Sequence, residues 1–91
     1  MKKHIKVYLD YFGFCESDVI LCEVCNKIAV DIHHVIFRKH GGEDVIDNLI
    51  ALCRDDHEKS HFKKKPYLTK DYLQSKHNEY VHGIVQEFTR E

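Results

Sequence analysis

Histidine falls in two clusters that constrain this chain more than any other feature: an adjacent pair, His33-His34, and a pair at i and i+4, His57 and His61. On a helix, residues at that spacing project from one face about a turn apart, which is how a helix grips a single metal ion. The chain holds eight histidines and four cysteines in 91 residues, and its composition points to metal before any motif is considered. In a reducing cytosol the cysteines are expected to serve as ligands rather than as a disulfide framework. A chain this short buries only roughly two-thirds of its unfolded surface, so one small core and a single domain over residues 1–91 are expected.

With 43% hydrophobic and 32% charged residues, disorder and low-complexity sequence are excluded. Fourteen Lys and Arg stand against fifteen Asp and Glu, for a net charge of −1, so any DNA binding must come from a local patch and not from overall charge. No apolar run approaches the roughly 20 residues of a membrane span, and the opening MKKHIKVYLDYF lacks the apolar stretch of a signal peptide. A soluble, cytoplasmic protein with no membrane partner is the expectation.

Ile5, Tyr8, Leu9 and Phe12 recur at helical spacing and predict a helix ended by Gly13, although residues 5–11 also alternate as a strand would. A loop then leads to Cys22-Glu23-Val24-Cys25, with a tight turn between the cysteines. Residues 28–37, IAVDIHHVIF, are rich in β-branched side chains and predict a strand, followed by a flexible loop through Gly41-Gly42. Residues 45–53 predict a loop leading into a second short strand. Asp55 or Asp56 is the expected cap of a helix running through His57 and His61 towards Phe62. Pro66 closes that unit, and Thr69 caps a last helix over about 69–88, whose apolar face is Tyr72, Leu73, Tyr80, Val81, Ile84, Val85 and Phe88.

Taken together, CEVC…DIHHVIFRKHGGEDVIDNLIALCRDDHEKSH resembles the HNH endonucleases, over about 40 of the 91 residues. The resemblance implies an α+β fold: a ββα-metal core at about 22–62, with an N-terminal and a C-terminal helix packed on it. It implies hydrolysis of a DNA phosphodiester, leaving a 5′ phosphate and a 3′ hydroxyl. His34 matches the general base, which suits an imidazole of near-neutral pKa. His33 matches the first metal ligand, His57 and His61 complete the site, and Asn48 matches the central Asn that ties the loop between the strands. The same resemblance suggests a structural zinc held by two C-x2-C pairs, but here Asp56 stands where the fourth thiolate should be. Cys22, Cys25, Cys53 and Asp56 form one possible zinc site; Cys15 as the fourth ligand, or no structural zinc, are the alternatives.

Arg38 and Lys39, with Lys59, Lys63, Lys64 and Lys65, are candidate contacts to double-stranded DNA, although a lysine run is equally common on a solvated face. His4, His40, His77 and His82 lack a motif context and read as solvated, although His40 could reach a phosphate. The catalytic ion could be Mg²⁺, Mn²⁺, Ni²⁺ or Zn²⁺, imidazole favouring the transition metals. Metal binding and activity should both fall below about pH 6 as the imidazoles protonate. Two alternatives stay open: a non-catalytic zinc module that binds DNA or protein, and a nuclease active only with a larger partner such as a phage terminase. Branched DNA or RNA as substrate is not distinguished.

Overall fold

The computed structural model describes residues 1–83. Helix α1 (Lys3–Phe12) is followed by a loop, strand β1 (Asp31–His34), a long connection carrying 3₁₀ turns at Arg38–His40 and Ile46–Asn48, strand β2 (Leu49–Leu52), helix α2 (Arg54–Ser60) and helix α3 (Lys70–His82). The architecture is α+β, a ββα unit flanked by one helix on each side in sequence. Strands β1 and β2 pair antiparallel, with His33 opposite Ile50 and His34 opposite Leu49.

Strand β2 is buried along its whole length, and its alternation divides the core in two. Ile50 and Leu52 pack with Cys22, Val35, Cys53 and Leu73 on the α3 side. Leu49 and Ala51 pack with Tyr8 of α1, supported by Val7, Phe12 and Ile32. β1 alternates likewise, so Asp31 and His33 face α2 while Ile32 and His34 face α1.

The first strand is shorter than the 28–37 expected. Ile28 instead forms an isolated bridge with Leu21 that closes the Cys22–Cys25 turn, and beyond His34 the backbone of Ile36 is captured by the Asn48 side chain. Neither Asp55 nor Asp56 caps α2. The cap is Cys53, whose Sγ accepts from the Asp56 backbone N–H at 3.4 Å, while both aspartates lie in the first turn where the helix dipole favours them. α2 ends at Ser60 and His61 is its C-terminal cap. Thr69 caps α3 as expected, accepting from Tyr72 N–H.

The face of α3 differs more. Leu73 is buried, but Tyr72 and Tyr80 are exposed and His77 is fully buried. His77, expected to be solvated, donates from Nδ1 to Glu23 Oε1 at 2.7 Å, and its Nε2 meets the Ile46 carbonyl. Glu23 Oε2 in turn accepts from Tyr8 Oη at 2.6 Å. One buried carboxylate thus joins α1, the cysteine turn and α3. Burial alone pulls the His77 pKa down, but the Glu23 carboxylate outweighs it and the value is raised. Ile84, Val85 and Phe88 of the expected apolar face lie outside the described residues.

Candidate metal centres and active site

His33, His57 and His61 are brought together from β1, α2 and the end of α2, each offering a ring nitrogen to one point. His57 Nε2 and His61 Nε2 are 3.1 Å apart, close to the roughly 3.3 Å that two nitrogens would span around a tetrahedral ion. The donor set fits a divalent transition metal. His57 Nδ1 donates to Asp31 Oδ2 at 2.8 Å, which fixes the tautomer and leaves Nε2 free to ligate. Burial, then the neighbouring His57 and His61, push the His33 pKa down to about 3. His61 is lowered by burial and by His57. Both are therefore held neutral, the form a ligand needs. The Phe37 ring stacks on His61, with 5.1 Å between centroids.

His34 points to the opposite face of β1, but an open cleft of about 570 Å³ joins it to the three imidazoles. His34 Nε2 donates to Asp44 Oδ1 at 2.6 Å, and Arg38 Nη2 lies within 3.2 Å of both Asp44 oxygens. That hydrogen bond from His34, with Arg38 beside it, holds the Asp44 carboxyl below the usual carboxylate range. Asn48 makes no hydrogen bond to His34 among the described residues. Its side chain accepts from Ile36 N–H at 2.7 Å and donates to the carbonyls of Ile36 and Glu43, clamping the connection that carries Asp44. The Gly-Gly pair serves the same connection: Gly41 has φ +91°, and a Cβ on Gly42 would sit 1.7 Å from the Ile36 carbonyl oxygen.

The second group is Cys22, Cys25, Cys53 and Asp56. Cys25 Sγ and Cys53 Sγ are 3.6 Å apart, and Asp56 Oδ2 lies 3.2 Å from Cys22 Sγ and 3.4 Å from Cys53 Sγ. Sulfurs around a tetrahedral zinc would be roughly 3.7 Å apart, so three thiolates and a carboxylate fit such an ion. Burial raises the thiol of Cys25 to about 12 and that of Cys22 above its usual value. Cys15 stays apart, exposed and within 3.2 Å of Ser17 Oγ.

The cations at the cleft are Lys2, Lys3 and Arg38. Lys39 lies in the exposed Arg38–His40 turn. Lys63, Lys64 and Lys65 follow α2 outside the cleft lining, where Lys64 is paired with Asp55, while Lys59 lies 3.7 Å from Asp56. His4, expected to be solvated, also lines the cleft, its ring 4.8 Å from that of His34. Asp31, Asp44 and His4 were not singled out from sequence. Asp31 alone carried a signal, being two residues before His33 on one strand face.

Residues 22–63 match the family model described as HNH endonuclease. They form an HNH endonuclease domain. HNH nucleases use a divalent metal, and this domain carries two groups able to hold one. The chain is similar to the type IV methyl-directed restriction enzyme EcoKMcrA of Escherichia coli (strain K12), with 37% identity over 54 residues, covering 48% of this chain and 20% of that enzyme. The chain thus spans about a fifth of the relative it matches. No solved structure matches it significantly. Among the described residues, no helix is long and apolar enough to cross a membrane.

Proposed function

We propose that this protein is a metal-dependent DNA endonuclease that hydrolyses phosphodiester bonds to 5′ phosphate and 3′ hydroxyl ends. The observation that carries this reading is the convergence of His33, His57 and His61 with His34 on one open cleft edged by Lys2, Lys3 and Arg38. His34 acts as general base. With its Nε2 hydrogen committed to Asp44, its other ring nitrogen accepts the proton of the attacking water. Asp44 holds the ring in that tautomer, and Asn48 holds the connection that carries Asp44. His33, His57 and His61 would hold the ion, with Asp31 orienting His57. When bound, a divalent ion there supplies Lewis-acid stabilisation of charge on the scissile phosphate. Lys2, Lys3 and Arg38, with Lys39 and lysines 63–65 further out, contact backbone phosphates of double-stranded DNA and carry little base preference. Cys22, Cys25, Cys53 and Asp56 hold a structural zinc. The nearly neutral net charge of −1 supports targeting by a further protein, since overall charge gives this chain little hold on DNA.

The test is plasmid cleavage by the purified protein across Mg²⁺, Mn²⁺, Ni²⁺ and Zn²⁺, with His34→Ala as the matched control. Removal of the base should lower the rate at least about a hundredfold while the fold and the ion at the three-histidine centre stay unchanged. Equal background from both proteins in every metal would overturn the reading and leave a metal-binding module without cleavage.

A further inference from the structure

A third cluster lies across β1 from the three histidines. One ring nitrogen each from His4 and His34 and one carboxylate oxygen of Asp44 lie within 4.8 Å of one another. The three come from separate elements: α1, β1 and the connection before β2. His34 Nε2 and Asp44 Oδ1 are already 2.6 Å apart, so a tetrahedral ion would need them to part by under about 1 Å. The His4 ring stands 4.8 Å from His34, centroid to centroid, and its Nδ1 is buried with no hydrogen-bond partner among the described residues. A buried ring nitrogen without a partner is costly, and coordination is one way to satisfy it. Two imidazoles and one carboxylate are also a donor set that suits zinc and its neighbours and leaves an open position. Arg38 is paired with Asp44 in this group, with its side chain mostly exposed and free to swing out, and Lys2 and Lys3 edge the same cleft.

We propose that His4, His34 and Asp44 form a transition-metal site distinct from the three-histidine centre, and that an ion of the zinc class held there inhibits cleavage. The inhibitory half rests on the nuclease reading, because a neutral imidazole that ligates through Nε2 carries its proton on Nδ1, the nitrogen that would otherwise take a proton from water. The site would fill at higher metal concentration than the three-histidine centre, since its ion must displace the Arg38–Asp44 pair.

Two measurements on the full chain test this. Equilibrium dialysis against Zn²⁺ counts ions per chain for wild type, His4→Ala, His4→Gln and Asp44→Asn, each checked for an unchanged fold by circular dichroism. The expected result is one ion fewer per chain in every variant that folds as wild type does, and Gln at position 4 or the isosteric Asn at 44 guards against a helix lost with Ala. Equal stoichiometry in wild type and variants overturns the site. The second measurement titrates Zn²⁺ into a cleavage reaction run in Mg²⁺ or Mn²⁺. Wild type should be inhibited, and His4→Gln should need at least about tenfold more Zn²⁺ for the same inhibition. An unchanged inhibition curve with the ion lost overturns the inhibitory half alone. An extra ion in a wild type that never cleaves upholds the site and removes the nuclease reading, so the two failures are distinguishable.

Discussion

Asp31 and Gly42 show how single residues outside the ligand set decide whether the site exists. Asp31 accepts from His57 Nδ1 and so selects the tautomer that exposes Nε2. Asp31→Asn keeps the shape but loses the charge-assisted bond, and Ni²⁺ affinity at the three-histidine centre should fall about 10- to 100-fold by titration calorimetry, with the circular dichroism spectrum unchanged. Gly42 has the opposite character, since the backbone of Ile36 fills the space a side chain would need. Gly42→Ala must push the connection off Asn48, at a cost of about 3 kcal/mol, read as a lower urea midpoint. Legibility at this scale followed spacing. His33, His34, His57 and His61 stood out because their intervals match a strand and a helix. His4, Asp44 and Glu23 did not, because each meets its partner only through the fold: Glu23 and His77 are 54 positions apart.

Secondary elements were legible where one signal dominated. α1, ended by Gly13 in a left-handed conformation, follows its apolar spacing, and Thr69 caps α3. β1 was overestimated because β-branched composition persists past the point where Asn48 takes over the hydrogen bonding of Ile36. The face of α3 was misread for a different reason: a histidine counts as polar in a periodicity, yet His77 is as buried as Leu73. The buried anchors of α3 are thus one leucine and one hydrogen-bonded imidazole, with Gln74 bonding the Asp47 carbonyl and Tyr80 packing on Phe12 nearer the surface. Leu73→Ala should therefore cost about 2–5 kcal/mol, seen as a fall in melting temperature, while Tyr72→Ala on the exposed side should change little.

Over the whole molecule, two histidines set opposing pH dependences. His33 is lowered to about 3, so between that value and its unfolded 6.5 only the unfolded chain takes the proton, and stability rises with pH. His77 is raised, so above 6.5 the folded state keeps a proton that the unfolded chain has lost, and stability falls as pH rises through the folded value. Melting temperature in chelator should pass through a maximum near pH 6.5. His77→Gln should lose most relative to wild type below pH 6.5, the gap narrowing as pH rises; a constant gap from pH 6 to 9 would refute the assignment. Adding metal should steepen the acid side, because protons then compete with the ion for the imidazoles.

Glu23 carries a last consequence. It sits inside the Cys22–Cys25 turn, yet its carboxylate grips Tyr8 of α1 and His77 of α3, neither of which belongs to the cysteine group. An ion leaving that group would loosen the turn, and with it the one carboxylate on which two distant helices converge. Amide protons of α1 and α3 should then exchange faster in chelator than in Zn²⁺ and at a common rate, so that the proposed ion would be a clock for how long the two helices stay docked.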